Sequence, residues 1–270
     1  MLKNIIYILI IIIGIIFSSC SDDPAFDILL GGQPRFLTED GYDKKLNVFG
    51  VLRPDLIQNY SQSFIHLERT LAAVNDIENG EDIFILDATI TSYLVEDGVL
   101  IDSFHFEYQN PDNFFNAFEY RDTSFIPIAL QKYKLICKRI DYETIEAETI
   151  IPKKPHINGN INADDNSINF NLTNDTSIFL FDIYLIDNED FDFSRIMPSE
   201  GANTFVKINP EFTLSNNTIL FVYSYDTNLA TYLSYSNNFI KPGAYRPPIT
   251  TVNGGYGCFG SMNFEVFTNF

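Results

Sequence analysis

Side chains able to do chemistry are few in this chain and widely separated. Its three histidines are His66 in "FIHLERT", His105 in "SFHFEY" and His156 after a Lys-Lys-Pro linker. The first two fall on expected strands with no second histidine nearby. A zinc site needs three or four ligands at workable spacing, and the sequence has neither Cys-x-x-Cys nor His-Glu-x-x-His. A Ser-His-Asp set could assemble from distant positions, but the Gly-x-Ser-x-Gly elbow is missing. The glycine-rich "NGGYGCFG", Asn253 to Gly260, lacks the Gly-Lys-Ser/Thr ending of a phosphate loop and any sizeable helix after it. Its glycines read instead as bulges or close backbone approach beside Tyr256 and Phe259. The acidic group Asp187, Glu189, Asp190 and Asp192 offers oxygen ligands for calcium, but without a loop glycine and a glutamate at the twelfth position it reads as a solvated loop. Tyr223, Tyr225, Tyr232, Tyr235, Tyr245 and Tyr256 crowd the C-terminal third and could stack on sugar rings. Alternation in "FVYSYD" puts Phe221, Tyr223 and Tyr225 on one strand face, expected to be packed core. No catalytic residue, metal or cofactor is assigned.

The most informative reactive side chain is Cys20. Lys3, an apolar run from Ile5 to Phe17 and the small pair Ser18-Ser19 form the layout of a secretory signal. The run is too short for a bilayer core, which takes about 20 residues. Where an ordinary signal has an A-x-A-like cleavage site, this one runs Phe17-Ser18-Ser19-Cys20, which resembles the bacterial lipobox. Cleavage before Cys20 and acylation with palmitate-like chains are the expectation, because two or more buried chains give stable anchoring. Residues 1–19 are then a removed signal peptide, and Cys20 attaches the mature chain to a membrane.

Loss of Lys3 leaves 16 basic against 36 acidic side chains, a mature net charge of -20. A surface this acidic repels phosphate backbones, so nucleic acid is excluded as a partner. With 25 Phe, 15 Tyr and no Trp, the composition is globular and favours strands. Cys137 and Cys258 are the only cysteines after Cys20. Their spacing leaves open a disulfide in an oxidising compartment, with two buried free thiols the favoured reading.

The elements follow from periodicity. Residues 20–45 read as lipidated cysteine and tether, and "LNVFGVL", Leu46 to Leu52, as the first strand. Asp97-Gly98 between two strand-like runs predicts a hairpin from about Ala88 to Tyr108. "KYKLICKR" and "YETIEAETIIP" alternate and stop at Pro152. Residues 153–160 form the expected linker, separating an N-terminal β-sandwich over 46–152 from a C-terminal one over 161–270. "SINFNL", "SIFLFDIYLI" and "TILFVYSYD" supply strands of the second unit, and "NLATYLSYS" the one short helix. The fold class expected is all-β, with two antiparallel, Ig-like sandwiches.

Three landmarks together resemble a family of Bacteroidota lipoproteins known only as a domain of unknown function. They are "NVFGVL", Asn47 to Leu52; "KYKLIC" followed by "AETIIP", Ala147 to Pro152; and the terminal stretch "YLSYSNNFIKPGAYRPPITTVNGGYGCFGS". The last carries the N-x-G-x-G-x-F-G pattern as Asn253, Gly255, Gly257, Phe259 and Gly260. The resemblance implies an outer-membrane lipoprotein of two β-rich domains, often encoded beside TonB-dependent transporters, with no assigned activity. Ser21-Asp22-Asp23 resembles the acidic export signal that carries such lipoproteins to the cell surface. The function expected is therefore a non-enzymatic binding or accessory module beside a TonB-dependent transporter; the alternative is a surface adhesin for glycan or calcium.

Overall fold

A computed structural model describes residues 44–70, 84–109, 119–164, 166–236, 249–268 and 270. Cys20, Ser21, Asp22 and Asp23, with most of the tether, lie outside the described residues, as does Tyr245. The described chain is an all-β sandwich structure with one short helix, and no described helix is long and apolar enough to cross a membrane.

The N-terminal unit uses β1 (Leu46–Leu52), β4 (Phe64–Arg69), β5 (Thr89–Glu96), β6 (Val99–Tyr108), β7 (Glu119–Arg121), β8 (Lys132–Lys138) and β9 (Ile145–Ile150), with a small side hairpin of β2 (Leu56–Ile57) and β3 (Tyr60–Ser61). The β5–β6 turn is Asp97-Gly98, both at positive φ as a tight hairpin requires. The second unit uses β10 (Asn162–Asp164), β11 (Ser167–Thr173), β12 (Leu180–Asp187), β13 (Asp190–Ile196), β14 (Asn203–Ile208), β15 (Ile219–Tyr225), the helix α1 (Thr227–Ser236) and the long strand β16 (Tyr256–Thr268).

One eleven-stranded sheet runs through both units in the order β13-β12-β15-β16-β1-β4-β7-β6-β5-β8-β9. Its N-terminal part curls over itself, so that β9 returns to the chain entering β16. There Glu146 and Asn253 exchange backbone hydrogen bonds of 3.0 and 2.8 Å. Inside the curl lies the first core, including Leu46, Val48, Ile65, Leu67, Ile90, Tyr133, Leu135, Cys137 and Phe259. The second core lies between β12 and β15 on one side and the three-stranded sheet β10-β11-β14 on the other, where Ile183, Leu185, Leu220 and Val222 meet Ile168, Phe170, Leu172 and Val206.

Strand β16 belongs to both units. Tyr256–Ser261 pairs in parallel with Asn47–Leu52 of β1, and Met262–Thr268 pairs antiparallel with β15. The division expected at 153–160 therefore separates the sequence but not the sheet, because Val252 and Phe259 complete the N-terminal core. Polar side chains of the shared strand and its neighbour hold the crossing chain in place. Ser261 Oγ donates to the Ile150 carbonyl at 2.9 Å, Asn263 Nδ2 to that of Pro152 at 3.1 Å, and Ser224 Oγ to that of Lys153 at 2.7 Å.

Helix α1 seals the junction on the outer face. Leu229, Ala230, Tyr232 and Leu233 pack on Phe49, Val51, Leu180, Cys258 and Met262, a third apolar cluster drawn from both units. Asp226 caps the helix: its Oδ1 accepts the Leu229 and Ser261 amides at 2.9 and 3.0 Å, and its Oδ2 accepts Thr149 Oγ1 at 2.6 Å. Burial pushes this carboxyl up even against the hydrogen bonds that pull it down. The other end of α1 is tied by Arg195, which donates in fork geometry to both oxygens of the buried Asp182 at 2.7 Å and to the Leu233 carbonyl at 3.1 Å.

Candidate binding face

Beyond α1 the outer face of the second sheet is open. Strands alternate their side chains between faces, so if Phe181, Ile183 and Leu185 fill the core, Tyr184 and Ile186 point out. The same parity turns out Phe191 and Phe193 on β13, Ile219, Phe221 and Tyr223 on β15, and Phe264 and Val266 on β16. Phe191 is 70% exposed, Phe193 40% and Val266 38%. An ordinary sandwich has a polar outer face, so a contiguous apolar one makes this face the candidate site.

Four rings on this face run across the strands. Phe193 meets Tyr184 at 4.9 Å between centroids, Tyr184 meets Tyr223 edge-on at 5.7 Å, and Tyr223 stacks on Phe264 at 5.4 Å. Arg53 extends the line, its guanidinium 5.9 Å from the Phe264 ring, and is held in turn by both oxygens of Asp55 at 2.7 Å. Burial pushes the Tyr184 phenol up to about 12 and raises that of Tyr223, so both hydroxyls keep their protons at neutral pH. Among the described residues the two ion pairs at the margins, Arg53–Asp55 and Arg195–Asp182, leave the face electrically neutral.

Two sequence expectations are corrected here. Phe221, Tyr223 and Tyr225 do share a strand face, but it is the outer one; the core takes Leu220 and Val222. Tyr225 alone of the three is buried, next to Asp182 and beneath α1. The acidic group is not a loop: Asp190 and Asp192 belong to β13, and only Asn188-Glu189 turn between the strands. Asp187 is fully occupied, its Oδ2 accepting the Ser215 and Thr218 hydroxyls at 2.6 Å and its Oδ1 accepting Asn188 Nδ2 at 2.7 Å. The acids alternate with Phe191 and Phe193, a period-2 signal for a strand that a count of charges hides.

The remaining candidates do not converge. His66 is buried with Nε2 3.0 Å from Glu68 Oε1, His105 Nδ1 lies 3.1 Å from Thr91 Oγ1 on the solvent side, and His156 is exposed in the linker. Among the described residues no three His, Cys, Asp or Glu side chains are grouped to hold a metal. Cys137 and Cys258 are both buried free thiols, one inside the first core and one beneath α1. The groove of about 470 Å³ beside the β5–β6 turn is lined by Lys132, Lys134 and Glu148, with the lysines paired to Glu148 and Glu146 at 2.7 Å.

The terminal motif is a packing device. A side chain on Gly255 would meet the Leu46 carbonyl at 2.6 Å, one on Gly257 would strike the Val48 carbonyl, and one on Gly260 would meet Leu229 of α1 at 2.7 Å. Asn253 supplies the closing backbone bridge, and Phe259 is fully buried.

No known protein family profile matches this chain, and no curated protein matches it. Solved structures align with it weakly. The chicken interferon gamma receptor alpha chain is 8% identical, with 70% of this chain and 92% of that one covered, at a TM-score of 0.23. A two-domain fibronectin type III segment of chicken tenascin is 8% identical, covering 84% and 99%, at 0.25. The FN1-FN3 domains of chicken CNTN1 are 10% identical, covering 80% and 69%, at 0.27. At such scores the likeness adds nothing to what the strand pairing establishes.

Proposed function

We propose that this chain is a lipid-anchored outer-membrane protein displayed at the cell surface, a non-enzymatic binding module that serves beside a TonB-dependent transporter. The observation that carries the binding role is the half-open aromatic face of β12, β13, β15 and β16, which lies outside the second core and of which only Tyr223 packs on the cluster beneath α1. The anchor rests on Phe17-Ser18-Ser19-Cys20, the surface location on Ser21-Asp22-Asp23, and the transporter on the resemblance to the Bacteroidota lipoprotein family. Labelling with a palmitate analogue tests the first: the wild-type chain takes label and Cys20→Ala does not. Mild detergent extraction tests the last. Recovery of a TonB-dependent transporter with the wild-type chain, reduced by Phe193→Ala, supports the reading; repeated recovery of the chain alone removes the transporter.

A further inference from the structure

We propose that the open face binds a neutral oligosaccharide laid across the strands on the line Phe193, Tyr184, Tyr223 and Phe264, an inference that rests on the binding-module reading above. Size comes first. Four strands at ~4.8 Å spacing and about five residues along each make a patch on the order of 300 Å², against the ~800 Å² per partner that a stable protein interface buries. A protein, or a second copy of this chain, would need far more apolar surface than the face supplies, whereas a short sugar chain is covered by it.

Charge narrows the ligand further. The face is neutral because Arg53 and Arg195 are each committed to a carboxylate, while the whole chain carries -19. Among the described residues an acidic polysaccharide would meet no free cation here, and it would approach against the field of the protein. A neutral sugar meets neither obstacle. Its C–H faces are drawn to the negative faces of aromatic rings, and its rim hydroxyls can bond to the Tyr184 and Tyr223 phenols and to the Arg53–Asp55 pair. The rings step across the sheet by 4.9, 5.7 and 5.4 Å, which suits successive sugar rings better than one compact ligand.

The test is native affinity electrophoresis of the full chain through gels containing mixed-linkage β-glucan, xylan, galactomannan or glycogen, with polygalacturonate as the acidic comparison. Retardation in at least one neutral gel and none in polygalacturonate is expected. Phe193→Ala should weaken that retardation about tenfold, as loss of one ring contact would, and Phe193→Tyr should restore it. Phe193 is 40% exposed, so the variant folds, which its melting curve checks; Phe191→Ser supplies a second probe of the same face. Free migration in all four neutral gels overturns the proposal, as does retardation unaffected by Phe193→Ala, or retardation in polygalacturonate. So does a dimer in sedimentation that Phe193→Ala dissociates, which would assign the face to a second copy. Silent gels with a transporter still lost on Phe193→Ala would sink the sugar alone; positive gels with no transporter recovered would sink only the transporter.

Discussion

The two halves of β16 are one strand in two environments. Over Tyr256–Ser261 both faces are covered: Phe259 enters the first core while Cys258 and Gly260 lie beneath α1. Over Met262–Thr268 the cover ends after Met262, so Phe267 packs on the second core while Phe264 and Val266 look outward. The covered half is rich in glycine because neighbouring backbones press within a side chain's reach of it. The open half turns Phe264 and Val266 outward, apolar residues where a solvated strand face would be polar. A strand covered twice is constrained by space; a strand covered once is free to present a surface, and here that surface is apolar.

Filling the covered half should do the most damage. Gly257 sits at φ +106 with the Val48 carbonyl where a Cβ would go, so Gly257→Ala strains backbone and packing together. A loss of roughly 3 kcal/mol or more is expected, comparable to the ~3–5 kcal/mol for Phe259→Ala, whose ring is fully buried. Urea unfolding measures both. Equal losses from Phe264→Ala would erase the contrast between the halves.

Next is the clamp where cover gives way to open face. Arg195→Met leaves the Asp182 carboxylate, 1% exposed, without its fork, a cost of about 3–5 kcal/mol. It also removes the Arg195 bond to the Leu233 carbonyl, so amide exchange in the last turn of α1 should speed up ahead of the sheet.

At the other end of α1, Asp226 sharpens the comparison through pH. Its folded pKa is raised by burial, so between the unfolded value of about 3.9 and the raised one the folded state holds more protons. Stability from this group is therefore full below the unfolded pKa and falls as pH rises through the folded one. Asp226→Asn keeps an oxygen for the Leu229 and Ser261 amides and has no such fall, so its stability relative to wild type should improve across that interval. Asp226→Ala should lose about 1–2 kcal/mol at any pH from the missing cap. Parallel pH profiles for wild type and Asp226→Asn would refute a titrating role.

The smallest effect belongs to the open half. Phe193→Ser removes an exposed ring and one contact with Tyr184, so melting should move by the equivalent of about 1 kcal/mol or less. A large loss would make Phe193 part of the core and the open face an illusion of parity.

Much of the local structure was legible in the residues. Leu46–Leu52, the Asp97-Gly98 hairpin and the strands "KYKLIC" and "IEAETI" follow from alternation and turn chemistry, and the spacing of Leu229, Tyr232 and Leu233 marked α1. The face was legible only in part. Alternation grouped Phe221 with Tyr223 but did not say which side of the sheet they were on, and the acids of "DFDFSRI" masked a strand.

The sequence by itself determined the all-β class and which residues share a strand face, because periodicity and turn residues act through near neighbours. Only the tertiary structure decided that one terminal strand serves two units, that glycines 255, 257 and 260 answer to a first strand and a helix far away in the chain, and that an aromatic stripe lies on the outer face with Phe193 exposed at its end. Period 2 defines two faces but not which of them is inside. That choice depends on what packs against the sheet, and α1 covers only part of it.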